Sequence, residues 1–376
     1  MGLESSLLDH FSDLPDPRMV NKCEHRLIDI VMIAICATIA NANSWEDIAA
    51  FGEGKAAWLK QWLALPNGIP SPDTFQRVFA HLDAAAFHER FIGWVQAVFE
   101  RTEGQVIAID GKTGRGTCDP QGQATLHLVS AWATANHLTL AQVNVGEKSN
   151  EIVAIPMLLD LLVLKGCIVT LDAIGCQKTI VKHLRAHEAE YVVTVKANQP
   201  TLYQHLTAAF AAADGQGWSL SSPHYCQTLD TQHGRVEQRQ CWVLADTTPP
   251  ALGWLDGHTL VRIQRTCQRA GGKTSDETQY YLSSLAPQAS LLLGAVRAHW
   301  GIENACHWVL DVVFHEDASR TRLKNADDNL ALLRKIALNL IRHHPAKGSL
   351  KGKRYRAALN EDFLLQIMQS SFNLMR

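Results

Sequence analysis

The sequence has no Cys-x-x-Cys pair, no apolar run of membrane length, no low-complexity tract, no internal repeat and no excess of positive charge. Each absence removes a class of protein. The nine cysteines (Cys23, Cys36, Cys118, Cys167, Cys176, Cys226, Cys241, Cys267 and Cys306) are scattered and odd in number. That argues against a structural zinc site or a disulfide framework, and for a reducing, cytoplasmic setting. The longest apolar run, residues 30–39, is too short to span a bilayer and reads as a buried helix. No basic segment leads into an apolar one at the N-terminus, so neither a signal peptide nor a membrane partner is expected. Lys and Arg number 35 against 37 Asp and Glu, a formal net charge of −2. Any contact with a polyanion must therefore come from local basic patches.

What is present is a chain of 376 residues, 47% hydrophobic, long enough for two or three domains. Residues 1–100 read as helical. An apolar helix is expected over 27–42. Ser44 is placed to cap the next helix, with Asp47 in the position of a capping-box acid. A Pro/Gly turn at 67–72 precedes a helix over 74–82 opened by Asp73. Helix, turn and helix fit ordinary packing better than a DNA-reading unit, although this region is a candidate for binding DNA ends. From residue 104 the texture changes. Strands are expected at 106–110, 125–134, 138–145, 166–172 and 191–196, with helices at 151–164 and 177–187. The order β-β-β-α-β-α-β is a three-strand meander followed by βαβ crossovers. It predicts an α/β fold with an RNase H-like mixed sheet flanked by helices, its first part spanning 101–196. Residues 197–290 read as a β-rich insertion, with strands at 226–232, 235–244, 259–266 and 278–285 and turns at 233–234, 249–250 and 271–272. Helical texture returns over 291–376, including a helix at 323–339 and a basic tail.

Two aspartates end apolar strand-like runs: Asp110 in Val-Ile-Ala-Ile-Asp-Gly-Lys and Asp172 in Cys-Ile-Val-Thr-Leu-Asp-Ala. A carboxylate at the end of a buried strand has to be paired, protonated or bound to a cation. Their strands are neighbours in the expected sheet, which brings the acids together. Carboxylates suit magnesium or manganese, and two such ions about 3.5–4 Å apart support phosphoryl transfer. A third acid is not fixed by pattern. Glu303, in His-Trp-Gly-Ile-Glu-Asn, competes with Asp311, Glu316 and Asp317. The helix of Glu303 also offers His299, His307 and Asp311 at four-residue spacing, a face suited to metal, DNA or a surface ion-pair ladder. Trp300 and Trp308 are expected to pack that helix onto the sheet. Lys112, two residues after Asp110, and Lys196, at the end of the fifth strand, are candidate phosphate contacts. Residues 320–356 hold eleven Lys/Arg against Asp327 and Asp328, a local balance of +9. Arg320, Arg322, Lys335, Lys351, Lys353 and Arg354 are candidates there for salt-dependent DNA contact.

Longer stretches resemble one family. They are Asp16-Pro17-Arg18, Phe51-Gly52, Leu65-Pro66-Asn67-Gly68-Ile69-Pro70, Ala108-Ile109-Asp110-Gly111-Lys112 and Asp172-Ala173-Ile174-Gly175-Cys176-Gln177. Val195-Lys196-Ala197-Asn198-Gln199, His233-Gly234-Arg235-Val236-Glu237, His299-Trp300-Gly301-Ile302-Glu303-Asn304 and Arg334-Lys335-Ile336-Ala337-Leu338-Asn339 follow. The chain resembles the ISAs-type DDE transposases, also called H-repeat-associated proteins, over nearly its whole length. The resemblance implies an Asp110, Asp172 and Glu303 triad that holds Mg²⁺ (or Mn²⁺). It implies cutting at the ends of an insertion sequence and joining of the 3′-hydroxyl to target DNA by a homodimer assembled on DNA. Gln199, Arg297, His299, Asn304 and His307 join the candidate DNA contacts. Ile174 and Ala197 stand where the family pattern leads one to expect Met and Gly. The Tyr-Arg-Glu-Lys spacing of related cut-and-paste enzymes is not reproduced, because Leu310 occupies the downstream lysine place. Two rivals stand beside this reading: a metal-dependent nuclease without joining activity, and a catalytically silent DNA-binding descendant.

Overall fold

A computed structural model describes residues 7–19, 23–98, 104–114, 116, 126–145, 150–216, 223–232, 234–269 and 274–369. Cys118, the expected strand start at 125, residue 233 and residues 271–272 of the expected turns lie outside these. Six helices come first: α1 (Leu7–Phe11), α2 (Leu27–Ile39), α3 (Trp45–Gly54), α4 (Ala56–Leu59), α5 (Pro72–His81) and α6 (Ala84–Val98). α2 is apolar except for Asp29 and Thr38 and almost wholly buried, as a helix without a polar face must be. Ser44 and Asp47 form the expected reciprocal capping box at the start of α3. α5 is capped by Ser71 with Pro72 in its first turn, so its start is set two residues earlier than the expected Asp73.

Nine strands form one sheet in the order β3-β2-β1-β4-β5-β9-β8-β7-β6. β1 (Val106–Thr113), β2 (His127–Ala133) and β3 (Leu138–Asn144) make the antiparallel meander. α7 (Glu151–Asp160), β4 (Ile168–Leu171), α8 (Lys178–Ala186) and β5 (Glu190–Val195) follow, and β1, β4 and β5 run parallel. This is the predicted mixed sheet flanked by helices. β1 outlasts its expected end and pairs with β2 through Thr113, so Asp110 lies inside the strand.

The segment expected to be β-rich opens with a helix, α9 (Pro200–Gln216). β6 (Tyr225–Gln232), β7 (Arg235–Ala245), α10 (Thr248–Ala251), β8 (Thr259–Arg269) and β9 (Thr274–Ser283) follow. β9 pairs antiparallel with β5, so these strands extend the same sheet. α11 (Ala289–Gly301) crosses back over it, a π-helical turn spans Ile302–His307, and α12 (Trp308–Val313) continues. α13 (Ala326–His343), α14 (Leu350–Leu359) and α15 (Glu361–Gln369) close the chain.

α13 is buried over its first sixteen residues, Ala326 to Ile341. It packs on α2, α5 and α6 on one side and on β3 on the other. Asn329 donates to the carbonyls of Phe79 and Leu82. Asn339 exchanges two hydrogen bonds with the backbone of Thr139, at 3.0 and 2.9 Å. A buried polar residue must be satisfied, and these amides bind the N-terminal helices and the sheet into one core.

Candidate active site

β1 and β4 run parallel with Ile109 opposite Leu171. The next residue on each side is an acid, so Asp110 and Asp172 stand side by side at one end of the sheet. The Asp172 carboxylate accepts from the backbone N–H groups of Ile174 (3.0 Å) and Gly175 (3.1 Å), which fixes its turn. Asp110 accepts from the N–H of Gly111 at 3.0 Å. Glu303 enters from the other direction, in the π-helical turn after α11, a local irregularity common at functional sites. The helix before it is pinned by His299, whose Nδ1 lies 2.9 Å from Thr170 Oγ1, two residues before Asp172.

The acids feel one another. Burial, then Asp172, then Glu303 push the Asp110 carboxyl up to about 7, against the N–H of Gly111. Burial also raises Asp172, with Glu151 adding to it and Lys196 opposing. Glu151 is a fourth acid that the sequence reading treated only as the start of a helix. It is the first residue of α7, which Asn150 caps, and its Oε1 lies 2.7 Å from His127 Nε2. A Cβ on Gly111 would stand 2.2 Å from that oxygen, so any other residue there would displace the carboxylate from its present place beside β1. No spacing signal marked Glu151; its place follows from α7 beginning beside β1.

Two adjoining clefts meet at Glu303. One, of ≈ 200 Å³, is lined by Asp172, Lys196, His299 and Trp300. The other, of ≈ 440 Å³, runs under the inserted strands past Arg235, Arg239, Arg265, Arg297 and Asn304. Arg265 lies over the Trp300 ring, 5.2 Å from its centroid. Arg239 is 2.5 Å and Arg297 2.9 Å from Asp230, which holds both guanidinium groups along the cleft. Arg235, Glu237 and Arg239 alternate on one face of β7. That period-two charge pattern is readable in the sequence.

Several of the expected DNA contacts lie inside the protein. Lys112 lies inward and is bonded to Asp311 and Glu316. Burial pushes Glu316 up, but Lys112, Lys335 and Arg334 outweigh it and hold the carboxyl below its ordinary value. Lys335 is buried at 2.8 Å from Ser130 Oγ. Lys353 donates to the carbonyls of Ile341 and His344 at the end of α13. Arg354 donates to those of Thr38 and Val313, at the ends of α2 and α12. Carbonyls at a helix C-terminus lack helical partners and favour a cation, so Lys353 and Arg354 of the basic tail cap helices from inside. His299 is buried and pushed down to about 4. His307 is pushed down to about 3 by burial, Lys335 and Lys112, with its Nδ1 3.5 Å from Asp110. Both are neutral near pH 7 and sit within the protein. Gln199 donates to Cys176 and Gln177 and so ties the Lys196 loop to the Asp172 loop. Trp308, expected against the sheet, is 57% exposed. Lys196, Asn304, Arg320, Arg322 and Lys351 are exposed. No described helix is long and apolar enough to cross a membrane.

Comparison with known proteins adds to this geometry. The family description "Transposase DDE domain" matches residues 101–340, and "DDE_Tnp_1-associated" matches residues 8–95. The chain is similar to "Putative transposase YncI" of Escherichia coli O157:H7, 39% identical over 98% of this chain and 96% of that one. It is also similar to "H repeat-associated putative transposase YhhI" of Escherichia coli strain K12, 36% identical over 97% of this chain and 98% of that one. Among solved structures, a piggyBac transposase synaptic complex with hairpin DNA aligns with a TM-score of 0.44 and 11% identity, over 96% of this chain and 78% of that one. With matches that run through the N-terminal helices, the sheet and α13, the chain belongs to the DDE transposase family.

Proposed function

We propose that this protein is an insertion-sequence transposase that cuts DNA at the element ends and joins the freed 3′-hydroxyl to a target, with Asp110, Asp172 and Glu303 as its catalytic acids. The observation that carries this reading is the strand register that sets Asp110 beside Asp172, one residue past the Ile109–Leu171 pair, with Glu303 near enough that burial first, then Asp172 and Glu303, push the Asp110 carboxyl up to about 7. Such a group calls for a cation, and an all-oxygen donor set fits a hard divalent ion, Mg²⁺ or Mn²⁺. Asp110, Asp172 and Glu303 would hold such ions. When bound, a pair of them supplies an activated nucleophile and charge stabilisation for an in-line displacement.

The protein's own groups do the rest. The N–H groups of Ile174 and Gly175 hold one Asp172 oxygen and leave the other to the site. His299 and Thr170 lock α11 so that Glu303 meets β1 and β4. Lys196, on the cleft wall with Asp172 and Glu303, faces the place of a scissile phosphate. Arg297, Asn304 and the β7–β8 arginines line a path for the strand leading to it. Arg320, Arg322 and Lys351 are exposed cations that could hold flanking phosphates. A dimer on DNA would pair two ends.

The test is an end-cleavage and joining assay with element-end DNA, a target plasmid and Mg²⁺. The wild type is expected to give nicked ends and joined products. Asp110→Ala, Asp172→Asn and Glu303→Gln should each lose both by more than about 10³-fold, while DNA binding persists. Cleavage retained by Asp110→Ala refutes the assignment. Cut ends without joined products replace a transposase with a nuclease.

A further inference from the structure

At the far end of α7 and α8 lies a second group of ligand-type side chains. Asp160 is the last residue of α7, and its Oδ1 is 2.8 Å from His183 Nε2 and 3.1 Å from His187 Nε2. His183 lies in α8, and His187 follows one helical turn later as its C-cap residue. Residues four apart on a helix present side chains on one face. The two rings stand with centroids 5.0 Å apart, and both turn the same nitrogen to the same oxygen. Among the described residues, these three are the group whose ligand atoms all lie within 4.8 Å of one another.

We infer that Asp160, His183 and His187 form a binding site for a divalent transition-metal ion, separate from Asp110, Asp172 and Glu303. Two imidazoles and a carboxylate are the donor set of Zn²⁺, Ni²⁺, Co²⁺ or Cu²⁺, whereas Mg²⁺ prefers oxygen alone. Without an ion, each Nε2–H donates to Asp160. With one, each ring keeps its proton on Nδ1 and offers the Nε2 lone pair. Metal–nitrogen bonds are about 2.0–2.1 Å, so the ion needs the present N···O separations to widen by only a few tenths of an ångström. The side chains are 30% (His183), 29% (His187) and 59% (Asp160) exposed. An ion can therefore enter directly, and water can complete its shell.

The position gives the site a consequence. α7 begins at Glu151, beside Asp110, and ends at Asp160 nine residues later, roughly 13 Å along the axis. α8 begins just after the Asp172 turn and ends at this cluster. An ion here would clamp together the far ends of the two helices whose near ends flank the proposed catalytic acids.

The experiment is calorimetric titration of untagged, EDTA-treated full-length protein with Zn²⁺ and, separately, Ni²⁺, in excess Mg²⁺. One tight one-to-one component is expected. Losing a ligand should cost at least the roughly 10–100-fold that losing a supporting partner costs, so the His183→Ala/His187→Ala double variant should bind more than about 100-fold more weakly. Asp160→Asn keeps the shape of its side chain and should also weaken binding, which covers the case of a double variant that fails to fold. Asp110→Ala should titrate like the wild type, so the result does not depend on the proposed transposition chemistry. Zn²⁺ should raise the melting temperature of the wild type and not of Asp160→Asn. Equal affinity within threefold for wild type and Asp160→Asn overturns the inference. So does a tight component lost in Asp110→Ala but kept in Asp160→Asn.

Discussion

Arg354→Ala separates a core role from a DNA role for the basic C-terminal segment. Arg354 is 1% exposed. Its guanidinium donates to the Thr38 carbonyl at 2.9 Å and to that of Val313, and it lies over the Phe314 ring, 4.1 Å from the centroid. A hydrogen bond to a charged group contributes about 1.5–3 kcal/mol, and a desolvated cation–π contact up to about 2 kcal/mol. Part of this overlaps, and the side chain's own desolvation offsets some, so a net loss of about 4 kcal/mol is expected. The urea midpoint should fall with the slope unchanged. Arg354→Lys keeps the charge but not the fork and should recover less than half. Fluorescence-anisotropy titration of both variants with element-end DNA, at a urea-free temperature where they are folded, should give wild-type affinity and the same salt dependence. A destabilisation under about 1 kcal/mol together with a clear loss of DNA affinity would refute the reasoning.

Lys112→Met strands Asp311 and the buried Glu316 without their shared cation, and should cost about 3–5 kcal/mol in chemical denaturation; adding Glu316→Gln should restore part of it. Lys196→Ala should leave stability within about 0.5 kcal/mol, weaken DNA binding and lower the salt slope by about one. Asp110 has its folded pKa raised to about 7. In the absence of divalent ions the folded state therefore holds a proton that the unfolded state gives up near 4. Stability from this group is present below about pH 4 and is lost as pH rises towards 7. Thermal melts from pH 4 to 8 should show a decline, worth up to about 4 kcal/mol, that is shallower in Asp110→Asn. Ser44→Ala should cost about 1 kcal/mol by removing the reciprocal cap of α3, read from the same denaturation curves.

Features set by neighbours along the chain were legible. The Ser44–Asp47 box needs three residues to form. The meander and crossovers announced themselves by apolar periodicity, which also put Asp110 and Asp172 on adjacent strands. What depends on distant partners was not legible. Lys335, Lys353 and Arg354 are cations in any sequence, and only the packing shows that they meet Ser130, the end of α13 and the ends of α2 and α12. Glu151 gains its neighbours because α7 begins beside β1. α9 was missed because its alanines sit in a stretch surrounded by strand-like runs. The length of β1 was missed because Gly111 looks like a strand end, whereas it is the gap that admits the Glu151 carboxylate.

Because α13 is at once the floor of the N-terminal helices and a wall of the sheet, the last seventh of the gene product is not dispensable. A premature stop codon ahead of residue 326 would strip apolar cover from α2, α5 and α6 as well as β3. The shortened polypeptide would be cleared by cellular proteases rather than persist as a DNA-occupying remnant. Decay of such a copy should thus be abrupt: a single late nonsense lesion erases the polypeptide along with its chemistry.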